Sequence, residues 1–481
     1  MALNRSINAL FDVRRLIPCG EAAGEIPESR KIYADVIHIA WPSVIEMVTM
    51  SMISFMDTFL VSGLSEEAIS AVGLCSQPRM LLMALFFALN VGVIAIVARR
   101  KGEERQEDAN KTLRNAIMMI GLLSFGMMAL GLKFSTFLLR DLAQAQPDTL
   151  SDASSYFQIT TWFLPVNTLT ICICAAQRGV GNTRLTLTVN IASNVVDLLF
   201  SWLLINGYWG LPRLGVAGAA WGTGVGFAVG FFMALSTVFG RRHGAGFFHL
   251  SLKDDWRPNF KILKEITGVG GGAVLEQAVL RVGFFGYAAI VANLGTVVFA
   301  AHQICAQFQN LSFTVGDGIG VAGTSLVGQS LGRKRADMAK LYGIASQRMA
   351  MVVAMVMATT IAIFRYQLVG IFTDDPYILG LGASVMLLLA IFQPLQTSSV
   401  VVSGALRGAG DTMYVAGVMM LCVGLMRPLL ALLAVYLLKN VFGLPEIALL
   451  GAWAAAIIDM ATRVTLVYRR FSGGKWCDIK V

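Results

Sequence analysis

Arg178-Gly-Val-Gly-Asn-Thr183 and Arg407-Gly-Ala-Gly-Asp-Thr412 write nearly the same six letters twice, about half a chain length apart, in a sequence of 481 residues. The similarity extends outward. Val97, Gly102, Arg105, Glu107 and Ala109 are matched, in the same order and spacing, by Val327, Gly332, Arg335, Asp337 and Ala339. Leu64 and Ala71 are matched by Leu294 and Ala301 at the same offset. Gly210-Leu-Pro212 is matched by Gly443-Leu-Pro445, and Gly218 by Gly451, at a slightly longer offset. Residues 36–240 and 264–470 therefore read as two copies of one unit, joined by a charged linker at 241–263. The glycines of the hexapeptide suit a tight turn. Its arginine suits a lipid phosphate or a helix end, and the simplest reading of the motif is a structural turn.

The chain is 56% hydrophobic and only 14% charged, against about 25% charged in an ordinary soluble domain. Apolar runs of about 20 residues recur along it, the length that crosses a bilayer as a helix. Alternating ten-residue segments, the mark of a membrane β-barrel, are not seen. The chain reads as an all-α polytopic membrane protein. Twelve transmembrane helices are expected at roughly 36–62, 70–98, 113–137, 155–177, 185–206, 214–240, 264–292, 298–329, 341–369, 377–404, 412–438 and 446–469.

The loops alternate in charge. One set carries Arg99, Arg100, Lys101, Arg105 and Lys111, then Arg178 and Arg184, then Arg241, Arg242, Lys253 and Lys261, then Arg333, Lys334, Arg335 and Lys340, then Arg407. The other set is poor in Lys and Arg. The positive-inside bias puts the first set, the basic segment 1–35 and the tail 471–481 in the cytoplasm. The net charge of +9 is explained by those loops, and no nucleic-acid partner is expected. Leu3, Ile7, Leu10 and Phe11 fit one face of a short interfacial helix, and a disordered basic tail fits the segment equally well. The seven Cys and four His are scattered, so no metal framework, disulfide framework or enzyme centre is read. Six spans per copy is an even number. The copies then run parallel, related by an axis along the membrane normal, with a cavity expected at the interface between the halves.

Asp57-Thr-Phe-Leu-Val-Ser-Gly63, the two hexapeptides, Val327-Gly-Gln-Ser-Leu-Gly-Arg-Lys-Arg335 and Gly215-Val-Ala-Gly-Ala-Ala-Trp-Gly-Thr223 resemble elements of the multidrug and toxic compound extrusion (MATE) family, over essentially all of residues 36–470. The resemblance implies a V-shaped, two-lobed transporter in the inner (plasma) membrane. It would export amphipathic cations in exchange for inward H⁺ or Na⁺, with no cofactor beyond that ion, lipid as its other partner, and as a monomer.

Carboxylates inside a span cost several kcal/mol unless hydrated, paired or protonated. Glu46, Asp57, Asp197, Glu276, Asp317 and Asp459 each need a reason, with Arg281 and Arg427 as cationic counterparts. The family's N-lobe cation site matches Asp57 in the first span, Asp197 and Ser201 in the fifth, and Thr223 in the sixth. The pair here is Asp then Ser, where the family has Asn then Asp or Asn, so the ion's position can differ. Two carboxylates with hydroxyl oxygens suit either a proton or a hard cation such as Na⁺. For Thr223 and Ser201 the competing reading is back-bonding to their own helix. Glu276 resembles a functional glutamate of the seventh helix in some relatives. Its other reading is a structural pair with Arg281 or Arg427. Gln277 and Asp317 are candidates for the C-lobe cavity, Glu46 is a cavity candidate just after Pro42, and Asp459 reads as structural. The 23 Met and 28 Phe suit a site of broad specificity, although most would face lipid or pack between helices. The rival function is a flippase for a lipid-linked oligosaccharide or peptidoglycan precursor, which wants several cations in its cavity.

Overall fold

The computed structural model describes residues 12–13, 23–62, 64, 66–142, 147–210, 212–239, 246–251, 253–442 and 447–479. The interfacial face at Leu3, Ile7, Leu10 and Phe11, the basic pair Arg241 and Arg242, Gly63 and the second Gly-Leu-Pro all lie outside them. The described residues are helical, with no strand among them. The first copy contains α1 (Ser29–Ser62), α2 (Glu66–Gly102), α3 (Gln106–Lys133), α4 (Pro147–Trp162), α5 (Leu164–Gly179), α6 (Thr183–Asn206) and α7 (Val216–Phe239). The second contains α8 (Phe260–Ala292), α9 (Thr296–Gly332), α10 (Ala336–Ile363), the short α11 (Arg365–Gly370), α12 (Pro376–Gly408), α13 (Thr412–Met419), α14 (Arg427–Tyr436) and α15 (Ala448–Ser472). A π-helical segment, Met420–Met426, joins α13 to α14.

Ten helices among the described residues are long and apolar enough to cross a membrane, and α4 with α5 makes an eleventh if that bent pair is one span. The pair bends by 49° at Phe163. Pro165 sits there, has no N–H to give to the preceding turn, and crowds its carbonyl. The twelfth expected span is α9. Its 37 residues are ample in length, but His302, Gln303, Gln307, Gln309, Asn310 and Asp317 make it too polar to qualify by composition.

The chain divides into two compact units, Ile45–Gly270 and Met1–Val44 with Gly271–Val481. These differ from the sequence repeats at both ends, for a packing reason. Ile32, Val36, Ile39 and Ala40 at the start of α1 are buried in one cluster with Ile319, Ala322, Leu326, Leu341 and Val401, and Tyr342 Oη donates to Asp35 Oδ2 at 2.8 Å. The start of α8 correspondingly belongs with α2: a Cβ on Gly92 would stand 2.6 Å from the Ile266 carbonyl oxygen. The linker is held along α3. Asn110 Oδ1 accepts from His249 N at 3.1 Å, Asn115 Oδ1 accepts from Asn259 N at 2.7 Å, and Arg114 pairs with Asp254 at 3.3 Å.

The two hexapeptides fold alike. The N–H groups of Gly181 and Gly410 donate to the carbonyls of Arg178 and Arg407, both at 2.9 Å. Those of Asn182 and Asp411 reach Gln177 and Leu406, again both at 2.9 Å. This closure ends a helix on a left-handed residue. Gly181 and Gly410 supply it, with φ of 85° and 90°. The loops after α2 and α9 repeat the same equivalence, with Glu104 and Lys334 at φ 60° and 58°.

Candidate functional site

In the unit Ile45–Gly270, α6 and α7 form the most extensive helix pair. The reason is a glycine every fourth residue on α7, which puts all four on one face. Cβ atoms on Gly218, Gly222, Gly226 and Gly230 would lie 2.7 Å from the Leu204 backbone, 2.2 Å from Ser201 Oγ, 2.7 Å from Asp197 Cβ and 2.9 Å from Ser193 Oγ. Small residues let helix backbones meet where apolar burial alone gives no preference over lipid. Gly222→Ala places a methyl 2.4 Å from the Ser201 backbone nitrogen, which no rotamer change relieves. The expected result is overpacking of about 1–3 kcal/mol, read as a lower melting midpoint in detergent. Gly73→Ala, at a helical glycine with open space around its Cβ position, is the control that should hold or slightly raise the midpoint.

That close packing sets the polar group between the helices. Ser201 Oγ lies 3.1 Å from Asp197 Oδ1 and 3.2 Å from the Ala219 carbonyl oxygen, so its single proton serves one or the other. Thr223 Oγ1 donates to the same carbonyl at 3.1 Å. This is the back-bond expected of a membrane threonine, and it leaves the hydroxyl's lone pairs free. Asp197 is buried. Asp57, half-buried on α1, lines one small cavity with Ser201, Thr223, Tyr156, Val61 and Ile205. The two carboxylates interact electrostatically with each other, and both with Arg79. All four residues named from the sequence for this site thus come together. Arg79 and Tyr156 were missed. The signal for Arg79 was present: it is a cation beside Pro78 within a span, of the same class as Arg281 and Arg427.

The other candidates sit differently. Glu46 is buried, 1% exposed, and bonded on all sides. It accepts from Arg178 Nη2, from Thr186 Oγ1 at 3.0 Å and from Asn190 Nδ2 at 2.5 Å. Glu46, a cavity candidate by sequence, is thus a buried carboxylate held by three side chains. Glu276, also buried, accepts from Arg407 Nη2 at 2.9 Å. Its partner is neither Arg281 nor Arg427, because α12 brings the hexapeptide arginine to it first. The half-buried Asp317 adds an electrostatic interaction with Arg407, and Gln277 is half-buried beside Glu276. Glu276 follows Glu46 at the repeat offset, and Arg407 follows Arg178 at the offset of the hexapeptides. One ion pair is therefore built twice, once in each unit. The hexapeptide arginine holds this carboxylate in each copy. Asp459, read as structural, is fully buried and pairs with Arg427 at 2.7 Å and Arg463 at 2.9 Å.

A family model described as MatE matches the chain twice, over residues 42–203 and 273–433. The chain belongs to the MatE family. The two matches fall one on each copy, so the family unit is itself the repeat. The probable multidrug resistance protein NorM of Thermotoga maritima is 26% identical over 454 residues, covering 94% of each chain. The multidrug resistance protein MdtK of Pectobacterium atrosepticum is 23% identical, covering 92% of this chain and 95% of that one. Two solved structures share the fold. One is a MATE transporter in the bent conformation, with TM-score 0.82 at 21% identity over 92% of this chain and 96% of that one. The other is an outward-facing multidrug resistance MATE family transporter, with TM-score 0.82 at 20% identity over 92% and 97%. The MatE matches contain Glu46, Asp57, Asp197, Ser201, Glu276, Asp317 and Arg407, while Thr223 lies beyond them. As a MatE protein with this many apolar helices, the chain is a multi-pass membrane protein.

Proposed function

We propose that this protein is a secondary active antiporter that exports organic cations and drugs by alternating access, in exchange for inward H⁺ or Na⁺ carried at Asp57 and Asp197. The supporting observation is the cavity shared by Asp57, Ser201 and Thr223, with Asp197 one hydrogen bond away. Two carboxylates answered by one exposed guanidinium leave a negative excess there. That excess attracts a proton or a small cation. The hydroxyls of Ser201 and Thr223 supply neutral oxygens, as a hard cation prefers. The relatives named for multidrug resistance support the substrate class.

Loading the ion neutralises the carboxylates and weakens their hold on a cationic cargo, and the ion-bound form then resets the carrier. Coupling of this kind rests on ion and cargo binding at each other's expense, a negative linkage between the two. Moving one positive charge inward gains about 2.3 kcal/mol per 100 mV. Exporting a monovalent cation in the same cycle cancels that gain, so with one ion per cargo the concentration gradient alone drives export. The localisation that goes with this reading is the inner (plasma) membrane with both termini cytoplasmic and a monomeric carrier.

The test is export of a fluorescent organic cation from reconstituted vesicles, with a pH gradient and a Na⁺ gradient imposed separately. Uphill movement under one gradient identifies the coupling ion. No movement under either removes the antiporter reading, and a lipid-linked oligosaccharide becomes the cargo to assay.

A further inference from the structure

The second copy carries a buried polar group of opposite sign close to the place where the first carries Asp197. Arg427 lies one residue beyond the position that the hexapeptide offset pairs with Asp197, and Asp459 matches Gly226 at the offset of Gly218 and Gly451. Asp197 packs on a glycine, whereas Arg427 pairs with Asp459. Arg463 shares the same carboxylate, so two guanidiniums face one carboxylate, all three at most 4% exposed. Within a membrane-embedded bundle an uncompensated charge costs several kcal/mol.

The remaining polar atoms nearby are also unanswered. Arg427 Nη2, Arg463 Nε, Tyr287 Oη, His302 Nδ1 and Trp453 Nε1 are buried with no hydrogen-bond partner. The groups are linked in space. The Arg427 guanidinium lies 5.7 Å from the Tyr287 ring centre, the Tyr287 ring 5.7 Å from His302, and His302 5.7 Å from Trp453. Arg427 also stands over the rings of Phe284 and Phe392. The guanidinium and the indole N–H can only donate, and the hydroxyl and imidazole can donate as well. Water would satisfy these atoms but not the charge. The π-helical segment Met420–Met426 leads directly into Arg427, and such segments concentrate at functional sites.

We propose that this cluster in the unit containing α8–α15 is a binding site for one small monovalent anion of chloride size, held by Arg427, Tyr287, His302 and Trp453. One uncompensated positive charge among closely packed rings calls for an anion that is small and monovalent. The inference is independent of the cation site and of the transported cargo.

The test uses the full-length protein in detergent and in crystals. Melting midpoints are measured across chloride concentrations against gluconate at constant ionic strength, and crystals grown in bromide are examined for anomalous scattering. The expected result is a saturable rise in midpoint with chloride and a bromide peak within hydrogen-bond reach of Arg427 Nη2. Tyr287→Phe and Arg427→Gln should each raise the half-saturating chloride concentration by about tenfold, as loss of a hydrogen bond to a charged group does. Tyr287→Phe removes one hydroxyl only, so it decides the matter alone if Arg427→Gln does not fold. Equal midpoints in the two salts, water in place of bromide, or bromide present with no variant effect (an adventitious ion only) would each overturn the proposal.

Discussion

Asp197→Asn lowers ion-driven export of an organic cation by about 100-fold, as loss of a charged interaction of roughly 2–3 kcal/mol does. The amide is nearly the shape of the carboxylate. Ser201 can still donate to its oxygen across the 3.1 Å contact, and the glycine packing of α7 on α6 is untouched. The change therefore removes charge with little cost to the fold. Asp57→Asn acts on the same cavity from α1 and should have an effect of the same order. Ser201→Ala and Thr223→Ala remove neutral oxygens and should cost less, about 5-fold each, as loss of a neutral hydrogen bond of roughly 1 kcal/mol does. The measurement is the initial rate of export from vesicles under the gradient that drives wild type, with the amount of inserted protein and its melting midpoint as controls. Wild-type rates in both Asn variants would eliminate these carboxylates as the coupling site.

Arg178→Met destabilises the protein by about 3–5 kcal/mol, the usual loss when one member of a buried ion pair is removed. Glu46 is left with Thr186 and Asn190 as neutral donors and with no countercharge at 1% exposure. For units of this size the melting midpoint falls by roughly 10 °C. Arg407→Met does the same to Glu276, the carboxylate that Arg407 holds in the second copy. The double variant Arg178→Met with Glu46→Gln recovers most of the midpoint, because an unpaired buried charge is the main cost. A double variant no more stable than Arg178→Met alone would mean that the arginine acts through packing and not through its charge.

The duplicated pair shows how far the sequence could be read. Glu46 repeats as Glu276 and Arg178 as Arg407 at offsets one residue apart, and a residue that repeats with its partner is a sign that the two meet. Nearness in sequence points Glu276 to Arg281, and prominence as a cation within a span points it to Arg427, whereas the duplication points it to Arg407. Arg79 is a less conspicuous cation of the same class, next to Pro78.

The sequence by itself determined the duplication and the helical membrane class, and its motifs carried the resemblance to the family and, through it, to the four residues that meet around Asp57. Each follows from period, composition or motif, which are properties of neighbouring residues or of residues at one fixed offset. Only the tertiary structure decided which charge answers which, where the compact units divide, and that the two copies carry opposite charge in their cores. Those depend on helix faces meeting across long stretches of intervening chain. The glycine stripe of α7 sets one such approach, and Gly179 and Gly408 set two more against the carbonyls of Ile94 and Thr324. Spacing along a helix says which residues share a face. It does not say which other helix that face will touch.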